Sequence, residues 1–199
     1  MGFLAQKFQE LREYSDIASI GEIARRYFAM NAFDGVLTII GVLMGNYTAN
    51  VRNASVVLVT GFSTCIAMGI SGLWGAYLTE SAERKRDLND LENHTLTDLS
   101  QTKIGRASRA AVVIVALVDG LAPFLAALVV LLPFFFSGLL ADIVLSYYLS
   151  LAMALGVLFT VGAFLGMVSK DNLLISGLKM IVAGLVSIVL SYFLKVGGR

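Results

Sequence analysis

Residues 31–45 read NAFDGVLTIIGVLMG, an apolar run that carries one aspartate, Asp34. A carboxylate inside hydrocarbon costs several kcal/mol unless it is paired, protonated or facing water. Whether this run crosses a membrane decides the fold. What offsets the cost of Asp34, if it does, decides the function.

The rest of the chain answers the first point. Of 199 residues, 57% are hydrophobic and 15% are charged, well below the roughly 25% charged residues of a soluble domain. The mean hydropathy is +0.80, and the apolar residues fall in long blocks, the signature of membrane spans. Five such blocks lie at roughly 28–49, 54–78, 110–136, 141–168 and 173–196. Each is long enough at about 1.5 Å per residue to cross a core of about 30 Å. The expected fold is therefore an all-α, multi-pass integral membrane protein of five transmembrane helices. The first 27 residues hold acids and bases without the apolar core of a signal peptide. Their pattern, with Phe3, Leu4, Phe8 and Leu11 on one side, suggests an amphipathic N-terminal helix over residues 1–27. Such a helix either lies on the membrane surface or packs on the large loop. That loop, residues 79–109, is charged and is expected to be helical.

Lysines and arginines orient the spans. With the N-terminus in the cytoplasm, Lys7, Arg12, Arg25, Arg26, Arg84, Lys85, Arg86, Lys103, Arg106, Arg109 and Lys170 lie inside. Only Arg52, Lys195 and Arg199 then lie outside. The C-terminus is expected on the opposite side. A net charge of +1 with no basic tail gives no nucleic-acid partner, and the single Cys65 excludes an internal disulfide. There is no nucleophile elbow, phosphate loop or pair of histidines on a helix. An enzyme is not expected, nor is a tightly bound cofactor.

At 100° per residue, Asn31, Asp34, Thr38, Gly41 and Gly45 fall within about 80° of one face of the first span. The second span carries Gly61, Thr64, Met68, Ser71, Gly72, Gly75 and Thr79 on one side. Small residues at such spacings also serve plain helix packing, but packing does not call for a carboxylate. A second acid, Asp119, lies about nine residues into the third span, within roughly 5 Å of the depth of Asp34. Two acids at one depth are settled by a shared proton or a cation. The alternative is that Asp119 bonds a backbone group freed by Pro123, which, like Pro133, should kink the span. Past the second span, Glu80, Glu83, Asp87 and Asp90 form a column. It reads either as a solvated helix with Glu80–Arg84 and Arg86–Asp90 ion pairs, or as a low-affinity divalent site near Glu92 and His94.

Several segments together resemble the vacuolar iron transporter (Ccc1-like) family of divalent-metal transporters. FDGVLTIIGVLMG is similar to its first-span motif and GISGLWGAYLTESAERKRDL to its second. LVVLLPFFF and ISGLKMIVAGLVSIVLSYFLKVG resemble segments of the third and last spans. The resemblance implies a homodimer that moves Fe2+, with Mn2+ as an alternative cargo, out of the cytoplasm in exchange for protons. The path would lie at the dimer interface, lined by spans 1 and 2. Asp34 takes the role of the motif aspartate, as metal ligand and proton carrier. The motif's second-span glutamate and methionine are Ala76 and Gly72 here, for which Asp119 and Met68 are candidate replacements. The expected path is Asp34, Thr38, Met68, Ser71 and Asp119. The expected metal-binding residues are Asp34 with Glu80, Glu83, Asp87 and Asp90. Rival readings are a metal-binding scaffold or sensor that does not transport, and a transporter of the same fold with another substrate.

Overall fold

The computed structural model describes Tyr14, 17–140 and 142–197, with side chains to Phe193. Five helices account for nearly all of it: α1 Ile20–Thr48, α2 Ala54–Thr95, α3 Lys103–Phe135, α4 Ile143–Ser169 and α5 Leu173–Gly197. A single 3-10 turn, Ser137–Leu139, separates α3 from α4. All five helices are long and apolar enough to cross a membrane, so the chain is an all-α membrane protein.

The helix ends follow from short polar side chains that accept from otherwise orphaned N–H groups. Asn53 Oδ1 accepts from the Ser55 N–H at 2.9 Å, Asp142 Oδ1 from Val144 at 3.1 Å, and Asn172 Oδ1 from Leu174 at 3.0 Å. Lys170 ends α4 in the left-handed region, with φ 59°, and its N–H returns to the Gly166 and Met167 carbonyls.

Two boundaries differ from the sequence reading. The helix that carries the first span begins at Ile20, so residues 20–27, assigned to a separate N-terminal helix, are the opening turns of α1. Most of that N-terminal segment lies outside the described residues. Ile17 and Ala18, near its end, line a small hollow with Leu88, Leu91 and Ile104. The expected loop at 79–109 consists mainly of helix extensions, α2 running to Thr95 and α3 starting at Lys103. No glycine or proline lies between Ala76 and Ile104 to stop either helix, and the i,i+4 ion pairs support the α2 extension. α3 runs through both Pro123 and Pro133 without a break.

The chain divides into two compact units. The first holds the described residues up to Phe28, together with Ile70–Leu121. Here the α3 start is drawn tight against the preceding turn: a Cβ on Gly105 would stand 2.5 Å from the Leu99 carbonyl oxygen.

The second unit, Ala29–Gly69 with Ala122–Arg199, has its own core. Val36, Ile39, Ile40 and Leu43 form the buried stripe of α1. They pack with Val57 and Cys65 of α2, Ala127, Val130, Leu131 and Phe134 of α3, and Tyr147, Ala154 and Leu158 of α4. The Tyr147 ring meets Phe134 edge-on at 4.9 Å, and its hydroxyl donates to the Val51 carbonyl at 3.0 Å. α4 and α5 pack through glycines: a Cβ on Gly162 would sit 2.5 Å from the Ser176 carbonyl oxygen, and one on Gly184 2.5 Å from Leu158 Cδ1. Such contacts let helices approach where no water-driven collapse operates between them.

Candidate functional site

In the second unit the sequence-predicted pair Asp34 and Thr38 stands on the exposed face of α1. One turn apart, they are linked through the backbone: the Thr38 hydroxyl donates to the Asp34 carbonyl oxygen at 2.8 Å. Asp34 thus keeps both carboxylate oxygens clear of that bond. Gly41 and Gly45 continue the face, and a Cβ on either would meet nothing within 4 Å. The opposite side of the same turn is fixed. Gly35 is buried, and its Cβ would stand 2.6 Å from both the Cα and the carbonyl oxygen of Pro123. The asymmetry fits the sequence: the glycine after the aspartate brings α1 onto α3, and this turns the aspartate outward. Asn46 Nδ2 donates to the Val42 carbonyl at 2.9 Å and to the Thr60 hydroxyl at 3.1 Å, joining α1 to α2.

Met68, expected on the polar stripe of α2, packs partly buried against the apolar core, and Cys65 is fully buried there. Both sulfurs therefore sit among packing residues.

The first unit holds a polar group in which sequence reasoning named Glu80, Arg84 and Asp119 but missed Tyr27. Glu80 is 6% exposed and Asp119 is 7% exposed. Arg84 Nε lies 3.0 Å from Glu80 Oε2 in the expected i,i+4 ion pair. The Tyr27 phenol is hydrogen-bonded to the same Glu80 carboxylate and stands in the fields of Glu80, Asp119 and Arg26. Residues of three helices thus come within electrostatic reach of one another. Asp119 itself lies on bare backbone: a Cβ on Gly72 would come within 2.9 Å of the Asp119 carbonyl oxygen and 3.0 Å of its Oδ2. The signal for Tyr27 was hidden because the residue falls where a separate N-terminal helix was expected to end.

The acidic column separates accordingly. Glu80 turns into the buried ion pair, while Glu83, Asp87 and Asp90 are exposed. Arg86 Nε and Asp90 Oδ2 are 3.9 Å apart, with side chains 84% and 62% exposed. His94 Nδ1 donates to the Asp90 carbonyl at 2.7 Å, and Glu92 accepts from the Leu99 N–H at 2.7 Å. Among the described residues, no three histidine, cysteine, aspartate or glutamate side chains gather as a metal cage would require. Ser71 is exposed on α2 in the first unit, the unit that also holds Asp119, whereas Asp34 and Met68 belong to the second.

A sequence profile of the VIT family matches residues 26–103. Uncharacterized protein MJ0645 of Methanocaldococcus jannaschii is 30% identical over 178 residues, 88% of this chain and 90% of that protein. The chain belongs to the VIT family. VIT proteins are ion transporters of the membrane, and five apolar helices agree with that setting. The VIT match takes in Tyr27, Asp34, Thr38, Gly72 and Glu80 and ends where α3 begins. Asp119 therefore lies beyond the stretch that the VIT profile covers.

Proposed function

We propose that the protein carries a divalent transition-metal cation, Fe2+ or Mn2+, out of the cytoplasm in exchange for protons, along a path lined by α1 and α2 in a homodimer. The observation that supports this most directly is the exposure of Asp34 and Thr38 on a span whose opposite side is closely packed. A carboxylate facing lipid is costly. A second copy placed over this face removes it from lipid, and Gly41 and Gly45 leave room for a close approach. Asp34 then offers oxygen ligands to a cation and takes a proton when the cation leaves. In this reading Thr38 lines the same face, and the exposed Glu83, Asp87 and Asp90 draw cations toward the cytoplasmic entrance.

A scaffold that binds metal without moving it is the second reading. It is favoured by Ala76, a buried apolar residue where the resembled motif carries a glutamate.

The test is flux of Fe2+, Mn2+, Co2+ and Zn2+ in proteoliposomes, comparing the wild type with Asp34→Asn. Loss of at least about tenfold, or roughly 1.4 kcal/mol, is expected in a variant that still folds. Unchanged flux removes Asp34 from the mechanism, and saturable binding without any flux selects the scaffold.

A further inference from the structure

α5 carries a cation on the side that should be wholly apolar. Lys179 is exposed and lies six residues past Leu173, where α5 begins. At about 1.5 Å per residue it stands about 9 Å along the helix. At 100° per residue, Ile175, Leu178, Lys179, Val182 and Val186 fall within about 100° of one another. The four apolar members of this face are each more than half exposed. The opposite side of α5 is the packed one. A Cβ on Gly177 would press into the Phe159 ring, and one on Gly184 would meet Leu158 and Leu155. Only 11% of the most apolar stretch of α5 is buried. The face of Lys179 therefore fronts lipid.

An ammonium in hydrocarbon is costly, but the flexible four-carbon stem of lysine carries it back toward a polar boundary. That boundary lies at the α4–α5 turn, where Ser169, Lys170, Asp171 and Asn172 are all exposed. Among the described residues Lys179 has no ion pair. Neither α4 nor α5 contains an acid. Asp171, in the turn, accepts from the Ser169 hydroxyl at 2.8 Å and follows a second cation, Lys170. A second copy of the chain supplies no counter-charge through this face either. In a two-fold contact the same patch stands on both sides, so α5 against α5 brings lysine toward lysine. The face also lacks the small residues that let spans approach closely, which the Asp34 face has in Gly41 and Gly45.

We propose that Lys179 binds the phosphate of an anionic phospholipid in the leaflet at the α4–α5 turn, with an acyl chain along Ile175, Leu178, Val182 and Val186. The lipid phosphate accepts a charge-assisted hydrogen bond from the ammonium, and Lys170 adds attraction from the turn. A zwitterionic lipid offers the same phosphate but brings its own cation toward the two lysines. The preference is therefore for phosphatidylglycerol over phosphatidylcholine. Lipid binding at this face is independent of what the protein transports.

The experiment uses the full chain in detergent with phosphatidylglycerol and phosphatidylcholine of equal chain length, and counts retained lipid by native mass spectrometry. Wild type is compared with Lys179→Gln, Lys179→Arg and Lys170→Gln. Wild type should retain phosphatidylglycerol in preference. Lys179→Gln should lower the ratio of the two lipids about fivefold, the effect of one cation near an anionic surface. Lys179→Arg should keep the ratio, and Lys170→Gln should lower it less. A Lys179→Gln ratio equal to that of wild type overturns the proposal. So do equal falls for both glutamine variants, which mark a general attraction between basic protein and anionic lipid. Inorganic phosphate added as competitor should leave the lipid in place, and displacement by it would reveal a free-phosphate site instead. A wild-type dimer that dissociates in Lys179→Gln with the lipid ratio unchanged would give the face to a second copy, again overturning the proposal. Should Lys179→Gln fail to fold, Lys179→Met, which suits lipid better, decides by the same ratio.

Discussion

Gly35→Ala adds one methyl group where α1 meets the backbone of α3. The new Cβ would lie 2.6 Å from Pro123 Cα, 2.6 Å from its carbonyl oxygen and 2.9 Å from its Cβ. Carbon atoms attract one another best at about 3.5–4.0 Å, so the helices must separate here by about 1 Å. The atoms in the way are mainly backbone, and no change of rotamer relieves them. Overpacking of this kind costs about 1–3 kcal/mol. Alanine's better helix propensity returns at most about 1 kcal/mol, leaving a net loss of about 0–2 kcal/mol, whereas the difference from a site with no overpacking is about 1–3 kcal/mol. Gly156→Ala is the matched control, because a Cβ there meets nothing within 4 Å and only the propensity gain remains. Unfolding of both variants in detergent, by denaturant titration with a fluorescence readout, measures the difference. Equal shifts for the two substitutions would refute the argument that the Gly35–Pro123 contact holds α1 in place.

Other substitutions separate structural contributions by burial. Arg84→Met strands the Glu80 carboxylate at 6% exposure and should cost roughly 3–5 kcal/mol, most of it recovered when Glu80→Gln is added. Arg86→Ala removes a partner from a pair 3.9 Å apart with both side chains well exposed, and should shift unfolding by less than about 1 kcal/mol. Tyr147→Phe deletes a hydroxyl that donates to the Val51 carbonyl and leaves that carbonyl without it, at a cost of about 1 kcal/mol. Ser150→Ala, in the same helix, should be neutral or stabilising, because its buried hydroxyl has no hydrogen-bond partner among the described residues.

The spans were legible because hydrophobic length is a property of the chain itself. The Asp34–Thr38 link was legible because i,i+4 neighbours share a helix face whatever packs around them. The helical character of residues 80–90 was legible in the spacing of Glu80, Glu83, Asp87 and Asp90 and in the Glu80–Arg84 pair. That this helix continues the second span without a break to Thr95 was not, because charge marks where lipid ends rather than where a helix does. The packing of Met68 against the core was not legible, because a helical stripe does not say which of its members faces the core. The Gly72–Asp119 contact and the Tyr27–Glu80 bond depend on how separate helices approach one another. No spacing along the chain encodes that distance.

The outward-facing carboxylate of α1 also bears on how the protein is made. α1 is the first of the five helices to be synthesised and the least apolar of them, with a mean hydropathy of 1.6 against 2.5 for the segment containing α3. An aspartate at the centre of an inserting helix costs about 2.5–3.5 kcal/mol, and each leucine or isoleucine returns only about 0.3–0.6 kcal/mol. The partners that bury Val36, Ile39 and Ile40 include Ala127, Val130 and Leu131 of α3, which leave the ribosome much later. During biogenesis α1 is thus a marginal tenant of the bilayer, retained by company that has yet to arrive. Nascent-chain insertion, before the finished fold exists, is the stage at which its sequence is most tightly constrained.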